Sequence, residues 1–141
     1  MINKRLKVYV ACALTYVPKA EKQTFTQLLQ EVKTLLEKEN FEVIEFLSAI
    51  KNNPEAEEVY SFDIDCLEKA DCLLALGDFP GTGLGYEICY STELKVIPTM
   101  VGVKNKNNIS KLLQGISHSN YSLVEFDTPE KLVSAFVKFV K

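Results

Sequence analysis

The sequence predicts an α/β domain built on a five-stranded parallel sheet, doubly wound, of flavodoxin-like or Rossmann-like order. Three observations predict it. Short apolar runs rich in β-branched residues recur five times along the chain. The runs are continuous rather than alternating polar and apolar, as in strands covered on both faces. Each is followed by a helical segment, and right-handed crossovers between parallel strands then place helices on both sides of the sheet.

The elements follow in order. Leu6 to Ala13 (LKVYVACA) reads as a buried first strand. Lys19 to Asn40 reads as a helix, with Phe25, Leu28, Leu29, Val32, Leu35 and Leu36 spaced to share one face. Phe41 to Leu47 (FEVIEFL) is the second strand. Asn53-Pro54 opens the next helix: Asn suits the cap, Pro the first turn, and Glu55, Glu57 and Glu58 the positive end of the helix dipole. Asp71 to Gly77 (DCLLALG) is the third strand, followed by a glycine-rich loop and a helix from about Gly85. Lys95 to Val101 is the fourth strand, Ile109 to Gly115 a short helix, and Tyr121 to Phe126 the fifth strand. Thr128-Pro129 caps a last helix with Leu132, Val133, Phe136, Phe139 and Val140 as its apolar residues.

The chain of 141 residues reads as one domain, 1–141, without repeats or low-complexity tracts. Apolar residues make up 47% and charged residues 25%, which excludes a disordered or collagen-like chain. The net charge of −3, from 16 basic and 19 acidic residues, leaves no basic field for nucleic acid. The run Lys104 to Asn108 (KNKNN) reads as a solvated loop. Cys12, Cys66, Cys72 and Cys89 show no C-x-x-C spacing, and with one histidine a Cys/His metal site is not expected. Four free, buried thiols point to a reducing compartment. The basic start of the chain is followed by too short an apolar run for a signal peptide, and no stretch approaches a membrane span. A cytoplasmic protein is the expectation.

Ligands of doubly wound sheets bind beyond the carboxyl ends of the strands. That directs attention to Ala11–Thr15, Gly77–Glu87 and Val101–Ser110. The segment Gly81-Thr82-Gly83-Leu84-Gly85-Tyr86-Glu87 is the most informative. Its alternate glycines let backbone approach a ligand, and it leads into a helix whose free N–H groups attract anions. It is neither a dinucleotide fingerprint, which needs a third glycine where Tyr86 stands, nor a Walker A loop. A tight strand-to-helix connection is the plainer reading. Glu87, placed in the first turn of that helix, should be held as a carboxylate by the helix end and suits nucleophilic attack; a simple helix-start acid is the alternative. Asp63 falls on the stripe Ala56, Tyr60, Leu67 and Ala70 expected to face the sheet, where an unpaired carboxylate is costly. It is either functional or the cap of a neighbouring loop, whereas Asp65 faces solvent. Tyr9 lies inside the first strand as core or as a site hydroxyl, and His118 reads as a surface residue.

Val8-Tyr9-Val10, Asp63 and the Gly-x-Gly-aromatic-Glu element Gly83 to Glu87 together resemble the nucleoside 2-deoxyribosyltransferase superfamily, which includes the 2′-deoxynucleoside 5′-monophosphate N-hydrolases. The resemblance runs from the first strand to the helix near Ser110. It implies that Glu87 attacks the anomeric carbon of a 2′-deoxyribose and displaces the base, through an oxocarbenium-like transition state and a glycosyl ester. It implies that Tyr9 orients Glu87 and that Asp63 acts near the base or sugar, helping to protonate the leaving group. Water or a second base completes the cycle, with no metal or organic cofactor. The transferases carry an aspartate six residues before the nucleophile, where this chain has Gly81. The loop through Pro80 looks more like the hydrolases. Ser110 resembles the hydrolase serine that reaches the 5′-phosphate from a neighbouring subunit, which implies a homodimer. The hydrolase serine and arginine after the first strand are here Ala13 and Thr15, so Thr15, Lys19 and Thr82 are the candidates to take their place. The implied substrate-binding set is Ala13, Thr15, Gly81, Thr82, Gly83, Gly85 and Ser110.

Hydrolysis of deoxynucleotides is the leading reading and base exchange between deoxynucleosides the second. A nucleotide- or flavin-binding module without catalysis, and a glycosidase for ribonucleotides or a dinucleotide, are the others.

Overall fold

A computed structural model describes residues 4–44, 54–79 and 81–141. The element order is β1 (Leu6–Cys12), α1 (Lys22–Lys38), β2 (Phe41–Ile44), α2 (Ala56–Lys69), β3 (Cys72–Leu76), α3 (Thr82–Cys89), β4 (Thr99–Val103), α4 (Lys111–Gln114), β5 (Tyr121–Glu125) and α5 (Pro129–Val140). The five strands form one sheet in the order β2-β1-β3-β4-β5, and every pair is parallel. This is the flavodoxin-like order, with its switch point between β1 and β3.

The sheet is covered on both faces. Because side chains alternate along a strand, Val8 and Val10 of β1 point to one side and Tyr9 and Ala11 to the other. The first side joins Leu74, Leu76 and Met100 to Phe25, Leu29, Val32 and Leu36 of α1 and Phe136 of α5. The second joins Leu73, Ala75, Val101 and Val103 to Leu67 of α2 and to Leu84 and Ile88 of α3. Tyr9 belongs to this second side, so any site built on it lies under α2 and α3.

Several expected boundaries shift for physical reasons. The fourth strand begins at Thr99, not Lys95. Lys95 instead turns its ammonium onto the C-terminal carbonyls of α2, reaching Leu67 O at 2.8 Å and Ala70 O at 3.0 Å. Val96 then takes a left-handed backbone with φ of 56°, closing the preceding helix. That helix extends α3 by a wider turn over Tyr90–Leu94, which points both Ser91 and Thr92 inward. The segment before α1 is two short 3₁₀ turns, Leu14–Tyr16 and Lys19–Glu21. The expected helix Ile109–Gly115 reduces to α4, with Ile109 buried in the core and Ser110 as its cap. Lys104 to Asn108 is exposed as expected. Thr128 caps α5 as expected, accepting from Lys131 N. The end of the expected second strand, 45–47, the cap Asn53 and Pro80 lie outside the described residues.

The cysteines are less uniform than the sequence suggests. All four are free, but only Cys66 and Cys72 are buried; Cys12 is half-buried and Cys89 exposed. Cys89 falls on the outer side of α3, with its thiol 3.3 Å from Glu93 Oε2.

Candidate active site

Three residues named from the sequence converge between the sheet and the α2–α3 pair. Tyr9 is held in the middle of β1, paired with Ile44 on one side and Leu73 on the other, and is only 2% exposed. Its hydroxyl donates to the carboxylate of Glu87. Glu87 is anchored because its neighbours Leu84 and Ile88 pack into the core. It is 8% exposed, and its Oε2 is buried with no hydrogen-bond partner among the described residues. Asp63 is half-buried at the centre of α2, close enough for its charge to raise the titration of both Tyr9 and Glu87.

The electrostatics correct one expectation. The helix end was to keep Glu87 ionised, but Glu87 sits in the second turn of α3, which starts at Thr82 rather than Gly85. Burial dominates instead. It pushes the Glu87 carboxyl up to about 7, the Asp63 charge pushes the same way, and the Tyr9 hydrogen bond opposes both. Burial also raises Asp63. The Tyr9 phenol is raised by burial first and by Glu87 second, so it stays protonated and remains a donor. The arrangement is a buried carboxylate with one oxygen oriented by a phenol, the other unpartnered, and a second carboxyl nearby. That is the equipment of a nucleophile with an auxiliary acid.

The glycines behave differently from one another. A Cβ on Gly81 would stand 2.8 Å from the Tyr16 ring and 3.2 Å from the Ala13 Cβ, so this glycine lets the end of β1 approach the start of α3. Gly83 and Gly85 are helical, and nothing lies within 4 Å of where their Cβ atoms would be. Thr15, Lys19 and Thr82 are exposed. Ser110 is not brought to the Glu87 side. It lines a groove of about 650 Å³ with Gly81, Thr82, Gly85 and Cys89. Those α3 residues lie roughly half a helical turn around from Glu87.

The stripe expected to press Asp63 against the sheet holds only in part. Leu67 and Ala70 are buried, but Ala56 is exposed and Tyr60 is 58% exposed. The first half of α2 stands off the sheet, and Tyr60 turns outward towards Tyr86. Asp65 is exposed and pairs with Lys69 at 2.7 Å, as its position foretold. His118 is exposed, with Nε2 3.0 Å from Glu93 Oε1. Cys66, read in the sequence only as a free, buried thiol, is buried one turn from Asp63, and burial raises its thiol to about 11, with Asp63 contributing. Its spacing of three from Asp63 was the available signal.

Among the described residues, no three His, Cys, Asp or Glu side chains group to hold a metal ion. No helix among them is long and apolar enough to cross a membrane.

No family model matches the chain. Three curated proteins do, each named "Putative 2′-deoxynucleoside 5′-phosphate N-hydrolase 1". That of Methanococcoides burtonii is 30% identical over 66 residues, covering 47% of this chain and 53% of its own. That of Thermofilum pendens is 30% identical over 77 residues, 54% of each chain. That of Methanosarcina mazei is 29% identical over 85 residues, 60% of this chain and 52% of its own. The chain thus spans about half the length of the curated relatives it matches. Among solved structures, the fold resembles a CMP N-glycosidase of Clostridium botulinum, with a TM-score of 0.71, 17% identity and coverage of 94% of this chain and 98% of that one. It also resembles a 2-deoxyribosyltransferase of Leishmania mexicana, with a TM-score of 0.60, 15% identity and coverage of 96% and 97%. The curated matches support the superfamily resemblance. At these identities the structural likeness is one of fold.

Proposed function

We propose that the protein is an N-glycosidase that cleaves the base–sugar bond of 2′-deoxynucleoside 5′-monophosphates. The observation that carries the reading is Glu87: a buried carboxyl, oriented through Tyr9, with Oε2 unpartnered and Asp63 at hand. The name shared by its three curated relatives agrees with the reading.

In this reading the Glu87 carboxylate attacks the anomeric carbon as the carbon–nitrogen bond to the base breaks. The bonding pair leaves with the base, which takes a proton delivered from the Asp63 side. The glycosyl ester on Glu87 is then attacked at the same carbon by water, whose proton returns to the Asp63 side as the carbon–oxygen bond to Glu87 breaks, which frees the sugar phosphate and returns the carboxylate. Tyr9 holds the carboxylate in its attacking orientation throughout and, with its titration raised, does not become an anion beside it. Thr15, Lys19 and Thr82 are exposed and are the candidates to hold the 5′-phosphate, with Ala13, Gly81, Gly83 and Gly85 completing the assigned substrate-binding set.

Ser110 lines a groove that Glu87 does not share, and following the family resemblance its part in substrate binding is assigned to a second copy of the chain, in a homodimer with shared sites. The test is to incubate the protein with each deoxynucleoside and its 5′-monophosphate, with and without a second free base, and to resolve the products by chromatography. Free base from the monophosphates, abolished in Glu87→Ala, is the expected result. A new deoxynucleoside formed only when a second base is present would make it a transferase. No cleavage under any condition would overturn both.

A further inference from the structure

The two helices that carry the carboxyl pair are tied to each other on their outer side. Tyr90 donates its hydroxyl to Glu68 Oε1 of α2. One turn earlier, the Tyr86 hydroxyl meets that of Tyr60, and the Tyr86 and Tyr90 rings lie 6.3 Å apart with their planes 31° from parallel. At the far end Lys95 holds the last carbonyls of α2. Asp63 falls between Tyr60 and Glu68 on α2, and Glu87 falls between Tyr86 and Tyr90 on α3. The ties therefore bracket the carboxyl pair from outside.

Such ties have work to do because α2 is weakly seated. Its only fully buried side chains are Cys66 and Leu67, in its second half. The first half, which leads to Asp63, is mostly exposed, and Phe62 and Ile64 on either side of Asp63 are only partly buried against the core. Glu87, by contrast, is held by the buried Leu84 and Ile88 on its own helix. The position of Asp63 relative to Glu87 thus depends on what joins α2 to α3.

We propose that Tyr90 and Glu68, together with Tyr86 and Tyr60, are positioning residues that set the spacing of Asp63 and Glu87 by strapping α2 to α3. The inference rests on the reading of Asp63 and Glu87 as the working pair. Loss of the strap leaves the substrate mouth intact and lets Asp63 drift from the reacting centre, so the turnover step suffers and binding does not.

The experiment compares wild type with Tyr90→Phe, Glu68→Ala and Glu68→Gln, reading kcat and KM for base release from deoxynucleoside monophosphates and amide hydrogen exchange across α2. Tyr90→Phe and Glu68→Ala should each lower kcat by about tenfold while KM stays within about twofold. Glu68→Gln keeps a carbonyl acceptor for the Tyr90 hydroxyl and should restore most of the kcat. Exchange over residues 56–65 should quicken in the first two variants and not in the third. Wild-type kcat in both Tyr90→Phe and Glu68→Ala, or a rise in KM alone, overturns the proposal. If the wild-type protein releases no base, the functional reading fails, and exchange still decides the strap: unchanged α2 protection in Tyr90→Phe refutes it.

Discussion

Glu87 has to be buried and anionic at once, and these demands oppose each other. With its carboxyl raised to about 7, it is only partly ionised at neutral pH. For base release, kcat/KM of the free enzyme should therefore rise with pH as Glu87 ionises and fall again as the acid on the Asp63 side loses its proton, giving a bell-shaped profile. Stability should move the other way. The folded value lies above the ordinary 4.5, so the folded state favours the protonated acid. That contribution is fully present below about 4.5 and is lost as pH rises through about 7, a loss on the order of 3 kcal/mol. Glu87→Gln, which cannot ionise, should raise Tm relative to wild type at pH 8 and lose that advantage at pH 5; thermal scans at the two values check it. Val96 is a second local cost. A β-branched residue at φ of 56° is strained, and at 63% exposure it gives up little packing. Val96→Gly should stabilise the fold by about 1 kcal/mol, read from its urea midpoint. That Tyr9, Asp63 and Glu87 lie together was legible in the sequence because each is a polar group at an apolar position or in a motif. The protonation balance of Glu87 was not, since it depends on how deeply α3 is buried, which spacing along the chain does not reveal.

At the scale of elements, the helices with a cap and a long apolar stripe were read correctly. The stripe of α1 and the Thr128-Pro129 start of α5 announce themselves locally. The start of α3 did not. Its glycines read as loop, yet Leu84 and Ile88 anchor it to the sheet and override the low helix propensity of Gly83 and Gly85. The start of β4 was hidden for a similar reason, because Lys95 looks like a strand residue until the carbonyls of α2 are seen to need a cation. The seating of α5 rests on one small residue in β4. A Cβ on Gly102 would stand 2.6 Å from Leu132 Cδ1, and Leu132 is fully buried. Gly102→Ala should cost about 1–3 kcal/mol by overpacking, measured by chemical denaturation with the slope unchanged.

At the scale of the whole molecule, the sheet order separates two tasks. One face, under α1 and α5, is apolar core. The other, under α2 and α3, carries Tyr9, Asp63 and Glu87 close to the switch point between β1 and β3. This division follows from the alternation along β1, and it was legible once Tyr9 was placed in a strand. What the sequence alone could not place was Ser110, whose side of α3 depends on the path from β4 to α4. Its place in a groove that Glu87 does not line leads to an expectation about assembly. Glu87→Ala and Ser110→Ala subunits, each impaired alone, should regain activity when mixed, to roughly a quarter of wild-type sites for freely exchanging dimers. No gain on mixing, with exchange of subunits verified, would place Ser110 outside the site.

The central claim is that Glu87 forms a covalent bond to the sugar, and trapping that bond tests it most directly. The protein would be mixed with a deoxynucleoside monophosphate, quenched in acid within the first turnover, digested and examined by mass spectrometry. The account expects the peptide containing Glu87 to carry a deoxyribosyl phosphate ester, absent from Glu87→Gln, which should also release no base. Base release by Glu87→Gln at the wild-type rate, with no adduct on the wild-type peptide, would contradict it.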